Sequence, residues 1–236
     1  MSRKTILVTG AAGSLGSALS LACAREGYST VMLDIDQAGL ERAYDRIVDG
    51  DLAEPTLFPL DLASAGPEQF EAMTDAIETE FGGLDAVVHC AAKFEGLTPL
   101  EHVSPPDWLG HMQINLNAAW LLSTHCLPLL RQAQAGRLYF LLEDLPKVQG
   151  AFWGAYGVSK HALSALVSQL HAELKSSSIQ VLGINPGPMS TPLRSRAYHS
   201  EPPDAQAAPS VAAGLIMQYL EGKREPEAEM ITLQAN

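Results

Sequence analysis

Thr9-Gly10-Ala11-Ala12-Gly13-Ser14-Leu15-Gly16 is the stretch on which the fold turns. It follows the apolar segment Thr5–Thr9, which reads as a strand, and opens a helical pattern from Leu15 to Arg25. Gly10 suits a tight turn after the strand, Gly13 lets a pyrophosphate approach the backbone, and Gly16 lets the helix pack on the sheet. The free N–H groups and positive dipole end of that helix then face an anion. An acid, Asp34, stands 18 residues beyond Gly16 at the end of the next strand-like segment, where the dinucleotide-binding fingerprint places one. A carboxylate there accepts both ribose hydroxyls and repels a 2′-phosphate. No Arg or Lys lies in the loop or between Val31 and Leu40 to neutralise such a phosphate. The expectation is therefore NAD(H) in preference to NADP(H). The plainer alternatives are a ligand-free strand–helix turn for the glycines and a helix N-cap or solvated turn for Asp34.

Working outward, short apolar segments alternate with helical ones along the whole chain. Strand-like segments are Thr5–Thr9, Thr30–Ile35, Thr56–Leu60, Ala86–Ala91, Arg137–Leu142, Ile179–Ile184 and, more weakly, Met230–Gln234. Helical stretches are Leu15–Arg25, Gln37–Val48, Pro67–Phe81, Pro106–Gln134, Phe152–Ser176 and Pro209–Leu220. Continuous apolar strands separated by helices mean a buried parallel sheet built from right-handed crossovers. The expected fold is α/β: a doubly wound parallel sheet of about seven strands with helices on both faces. One dinucleotide-binding and catalytic domain is expected over residues 1–236, with the Pro/Ser/Ala-rich stretch Pro186–Pro209 as a substrate-side loop.

Composition bounds the function. The 236 residues include 15 basic and 27 acidic side chains, for a net charge of -12. That field repels phosphate backbones and anionic lipid, so neither a nucleic acid nor a membrane surface is an expected partner. No apolar run approaches the length of a membrane span. Met1-Ser2-Arg3-Lys4 leads into a run too short for a secretory signal. Cys23, Cys90 and Cys126 form no C-x-x-C pair, which favours reduced thiols and a cytoplasmic location. The seven histidines show no zinc-site spacing, and no metal is expected.

The order of motifs resembles the short-chain dehydrogenase/reductase family from end to end. The glycine loop is a variant of the family's T-G-x-x-x-G-x-G, with Ser14 at the middle glycine's place. Asp61-Leu62 is similar to the family's acid–hydrophobe pair at the adenine. His89-Cys90-Ala91-Ala92 stands where Asn-Asn-Ala-Gly is usual and keeps only the alanine, Ala91. Asn115 matches the active-site asparagine, Tyr156-Gly157-Val158-Ser159-Lys160 matches Y-x-x-x-K, and Pro186-Gly187 through Thr191 matches the P-G-x-x-x-T segment beside the nicotinamide. The resemblance implies a Rossmann fold, a bound dinucleotide, a small carbonyl or alcohol substrate, and a homodimer or homotetramer. It places Gly10, Gly13, Ser14, Leu15, Gly16, Asp34, Asp61, Leu62, Ala91, Tyr156, Lys160, Pro186, Gly187 and Thr191 at the cofactor.

Tyr156 and Lys160 are four apart and share one helix face. A phenol with a pKa of ~10 is a poor base at neutral pH. A lysine ammonium and an oxidised nicotinamide nearby would favour the phenolate. Tyr156 would then exchange the proton as hydride moves, with Lys160 on the nicotinamide ribose and Asn115 on a relay water, as the resemblance implies. Tyr156 as a packing residue and Lys160 as a surface charge remain the plainer reading.

The serine that the resemblance implies at the substrate oxygen is missing. Its position, 13 residues before the tyrosine, is Glu143, and no Ser or Thr occurs between Thr124 and Ser159. Burial among Leu141, Leu142 and Leu145 beside the like charge of Asp144 favours a neutral carboxyl able to donate a hydrogen bond. Otherwise Glu143 and Asp144 turn the chain out into solvent. Three functions stay open: an NAD(H)-linked oxidoreductase with Tyr156, Lys160, Asn115 and Glu143 in its catalytic centre; a catalytically weak or inactive dinucleotide-binding protein; and, with least support, a lyase or epimerase using bound NAD.

Overall fold

A computed structural model describes residues 3–202 and 206–233. Seven strands form one parallel sheet in the order β3-β2-β1-β4-β5-β6-β7. They are β1 Thr5–Thr9, β2 Ser29–Asp34, β3 Thr56–Pro59, β4 Ala86–His89, β5 Gly136–Leu141, β6 Ile179–Asn185 and β7 Met230–Thr232. The helices are α1 Ser14–Arg25, α2 Gln37–Val48, α3 Pro67–Phe81, α4 Pro105–Met112, α5 Ala118–Gln132, α6 Leu145–Val148, α7 Gly154–Leu174, α8 Pro192–Ala197 and α9 Pro209–Leu220. No helix among the described residues is long and apolar enough to cross a membrane.

The period of two along each strand divides the core. Ile6 and Val8 of β1, Met32 of β2, Val88 of β4 and Tyr139 of β5 join a cluster with α1, α2 and α9. Leu7, Val31, Val87, Leu138 and Phe140 point the other way, into a cluster with α3, α5 and α7. Both faces are therefore covered, which is why the strands read as continuous apolar runs rather than alternating ones.

Two features of this topology position the site. The chain winds from β1 out to β3, then returns to pair β4 against the other side of β1. The loops leaving β1 and β4 part in opposite directions there, opening a crevice at the carboxyl edge of the sheet. The expected single helix over Pro106–Gln134 is in fact α4 and α5 joined by a turn of wider π-helix at Gln113–Asn117. The apolar periodicity carries through both helices, so the sequence pattern hides that insertion.

The Pro186–Pro209 stretch is likewise less irregular than expected. It contains α8 and a bridge between Met189 and Ala207. Residues 203–205, and Gln234 of the expected last strand, lie outside the described residues.

Candidate active site

The loop after β1 is folded so tightly that only glycine fits. Gly10 has φ of 65°, and a Cβ placed on it would lie 2.6 Å from the Ala91 nitrogen. A Cβ on Gly16 would lie 2.1 Å from the Gly10 carbonyl oxygen. Helix α1 starts at Ser14 with no side-chain cap from Gly13. The first N–H groups of the helix, on Ser14, Leu15 and Gly16, thus lack helical acceptors and open on the crevice. By contrast, Asp36 caps α2 through the Gly39 N–H, and Thr191 caps α8 through the Arg194 N–H.

The crevice is a cavity of about 450 Å³. Every residue expected at the cofactor lines it: Gly10, Gly13, Ser14, Leu15, Gly16, Asp34, Asp61, Leu62, Ala91, Tyr156, Lys160, Pro186, Gly187 and Thr191. Glu143 lines it as well, whereas Asn115 does not. Asn115 sits in the π-helical turn, 1% exposed. Its Oδ1 accepts from the Lys93 N–H at 2.6 Å, and its Nδ2 donates to the Lys93 carbonyl at 3.1 Å and to Ser159 Oγ at 2.9 Å. It therefore fastens the loop after β4 to α7 from behind the cavity wall.

At the other end, Tyr156 and Lys160 rise from the buried face of α7. The Tyr156 hydroxyl donates to Glu143 Oε1 at 2.8 Å. Glu143 follows β5 and is half-buried, its side chain turned inward. Lys160 Nζ donates to the Leu141 carbonyl at 2.8 Å and lies 5.7 Å from the Tyr156 ring centre. Burial, and then the Glu143 carboxylate, push the Tyr156 pKa well above that of an ordinary phenol. Burial pulls the Lys160 pKa down, and the Glu143 charge partly restores it. The expected phenolate is thus disfavoured here, first by burial and then because the charge at the hydroxyl is a carboxylate rather than the ammonium. Glu143 Oε1 is an acceptor in this geometry, and its side chain faces the cavity rather than solvent.

Sequence reasoning missed the far wall. Phe94, Arg194, Arg196 and Tyr198 line the cavity, and Phe94 meets the Tyr156 ring edge-on at 4.8 Å. Arg194 makes a two-point ion pair with Glu201, both contacts at 2.7 Å, and its guanidinium lies 4.2 Å from the Tyr198 ring centre. Arg196 donates to the Phe94 carbonyl at 2.9 Å. These residues follow Thr191 in sequence, but no local pattern marks them. Trp153 is 8% exposed and packs between Phe94, Tyr156 and Tyr198 while reaching the cavity. His89, which opens the segment that departs from Asn-Asn-Ala-Gly, is turned into the core. It stacks on Phe140 at 4.7 Å and shares a hydrogen bond with Ser123 at 2.9 Å.

Comparison with known proteins bears on this geometry. The short chain dehydrogenase sequence profile matches residues 4–202. An oxidoreductase of Escherichia coli K12, YciK, is 30% identical over 207 residues, covering 88% of this chain and 82% of that protein. A short chain dehydrogenase from Pseudomonas syringae superposes with a TM-score of 0.92 at 31% identity, covering 98% of this chain and 94% of the other. A Shigella flexneri relative was solved with NADP and an Escherichia coli CFT073 relative with NADPH. Each has a TM-score of 0.90 at 29% identity over 98% of this chain, covering 97% and 96% of the respective relatives. Those complexes overturn the expectation of NAD(H) over NADP(H). The physical reason lies at Asp34. Its Oδ2 accepts from the Ala12 N–H and its Oδ1 from the Asp36 N–H, each at 3.0 Å. The carboxylate braces two backbone turns, so its presence is no measure of what sits on the ribose. With the profile match, the crevice at the switch point and the Tyr156–Lys160 pair together on one helix face, this chain belongs to the short chain dehydrogenase family.

Proposed function

We propose that the protein is an NADP(H)-linked oxidoreductase that moves hydride at a small polar double bond, the carbonyl/alcohol pair or its nitrogen counterpart. The observation that carries this reading is the cavity running from the uncapped tip of α1 to the Tyr156 hydroxyl. Bound there, the dinucleotide supplies a hydride donor or acceptor. The chain's own groups do the rest. The N–H groups of Ser14, Leu15 and Gly16 hold the pyrophosphate, and Asp61 and Leu62 border the adenine. Pro186, Gly187 and Thr191 flank the nicotinamide. The rim at Asp34 is open, with Ile35 66% exposed beside it. A 2′-phosphate at that exposed rim keeps its water, and the high dielectric there weakens its repulsion from Asp34. The chain acts as one binding and catalytic unit, with residues 186–209 bounding the substrate side.

Tyr156 handles the proton in carbonyl chemistry, and Lys160 and Asn115 hold the surrounding backbone. Glu143 works against that chemistry. An ionised carboxylate ~4 Å from a developing alkoxide repels it by about 4 kcal/mol at an effective dielectric of ~20. A missing oxyanion donor costs about 3–4 kcal/mol in its own right. The Tyr156–Glu143 bond therefore favours a second reading, a dinucleotide-binding protein nearly idle toward ketones. We further place the protein in the cytoplasm, in keeping with its three free cysteines, and as a homo-oligomer, since Leu109 and Trp120 leave α4 and α5 with exposed apolar surface.

The test is calorimetric titration with NADPH and NADH, followed by a carbonyl and alcohol panel. NADPH is expected to bind tighter, and Tyr156→Phe to lower any carbonyl turnover by at least ~10²-fold. Preference for NADH, or full turnover in Tyr156→Phe, would reject the reading.

A further inference from the structure

We propose that the reactant this pocket prefers is a small iminium ion, reduced to an amine, with Glu143 as its counter-ion. The inference rests on the NADP(H)-oxidoreductase reading and names its substrate class.

Charge accounting leads to it. Among the described residues Glu143 has no ion-pair partner, and its one hydrogen bond is the Tyr156 hydroxyl on Oε1. Oε2 is left to whatever enters the cavity. Of the cations lining the same cavity, Lys93 and Arg194 are paired with other carboxylates, whereas Lys160 and Arg196 bond neutral carbonyls, and only Lys160 is coupled electrostatically to Glu143. Lys93 lies 3.0 Å from Glu95 and 3.8 Å from Asp107. Arg194 is paired with Glu201, Arg196 donates to the Phe94 carbonyl, and Lys160 donates to the Leu141 carbonyl. The substrate end thus presents the unbonded Oε2 of Glu143, with no cation in direct contact among the described residues, beside the aromatic surfaces of Phe94 and Trp153. A carboxylate and aromatic faces together favour a cation over an anion.

The chemistry agrees with the charge. Ketone reduction builds negative charge on oxygen and needs a donor, which a Glu143 carboxylate is not. Iminium reduction does the reverse. The iminium carbon takes the hydride, the C=N π pair moves onto nitrogen, and the positive charge passes to the oxidised nicotinamide. No proton is required at the reacting atoms. The neutral amine afterwards takes a proton from water and leaves as an ammonium ion. A phenol whose proton is held by a carboxylate is no handicap to this step. Tyr156 serves it by fixing the Glu143 carboxylate on the cavity wall.

The experiment uses the full chain with NADPH and two matched reactants at neutral pH, methylpyrroline as the cyclic imine and cyclopentanone as the ketone. The imine is expected to be favoured by at least ~10²-fold in kcat/KM. Glu143→Gln should erase most of that preference, mainly through KM for the imine, and Glu143→Asp should restore part of it. Calorimetry on the NADP complex should show pyrrolidinium binding more tightly than cyclopentanol, with the difference lost in Glu143→Gln. A Tyr156-dependent preference for the ketone would overturn the inference and leave the oxidoreductase reading standing. So would an imine preference unchanged in Glu143→Gln, or a chain that binds NADPH yet neither reduces methylpyrroline nor binds pyrrolidinium. Failure to bind NADPH at all would remove both.

Discussion

Tyr156 donates its proton to Glu143 across 2.8 Å, and both ends of that bond are open to substitution. The carboxylate is one of the two main causes that hold the Tyr156 pKa up, the larger being burial. Glu143→Gln removes the charge and leaves the burial. The phenol should then ionise at lower pH than in the native protein, which ultraviolet absorbance titration measures against Tyr156→Phe as the blank. An unchanged ionisation would mean that the two groups are not coupled. Glu143→Ser replaces a repelling charge by a hydroxyl donor. Ketone reduction should rise by at least ~10-fold, a modest part of what one oxyanion donor contributes elsewhere. No rise in cyclopentanone turnover would show that the carboxylate is not what limits carbonyl chemistry.

Helix α1 and the π-helical turn are the two elements whose form the site cannot do without. Gly16 lies on the inner face of α1, where an added methyl would sit 2.1 Å from the Gly10 carbonyl oxygen, a backbone atom with no rotamer to yield. Gly16→Ala should cost about 1–3 kcal/mol in denaturant stability. It should also weaken NADPH binding by more than ~10-fold, because the loop must move away from the helix tip. Native NADPH affinity in that variant would argue against the tip as the pyrophosphate site. The π-helical turn has the opposite task of bringing Asn115 inward. Its two bonds to the Lys93 backbone occupy groups that would otherwise be unpaired at a half-buried position. Asn115→Ala should cost roughly 2–3 kcal/mol. It should also raise KM more than it lowers kcat, since the loop it holds forms part of the cavity wall.

For the molecule as a whole, pH and ligand are the readable levers. His89 is buried against Phe140, and desolvation pulls its pKa from 6.5 down to about 3. The folded state therefore favours the neutral ring. The stability this gives is fully present above pH 6.5 and is lost as pH falls from there toward 3, at up to ~1.4 kcal/mol per pH unit. His89→Phe should flatten the fall in urea midpoint over that range. Parallel curves for the two proteins would show that His89 is not the titrating group. Ligand acts on the same global equilibrium. NADPH at about 100 times its Kd should add about 2.7 kcal/mol to unfolding.

The fold and the tight glycine loop at the tip of α1 were legible in the amino-acid order because they rest on local rules. Glycines tolerate a turn that no side chain fits, apolar runs of strand length call for a sheet covered on both faces, and a four-residue spacing puts Tyr156 and Lys160 on one side of a helix. Asp34 was legible as a residue and misread as a selector, because its engagement with the Ala12 and Asp36 N–H groups is a contact between turns. The π-helical turn, the inward stacking of His89, the wall of Phe94, Arg194, Arg196 and Tyr198, and above all the direction of the Tyr156–Glu143 hydrogen bond arise only when distant segments pack. Each of these depends on which side chain reaches which partner across the crevice. The order of residues along a chain states what groups are present. Tertiary packing decides which of them are buried together, and so where the charges and protons lie.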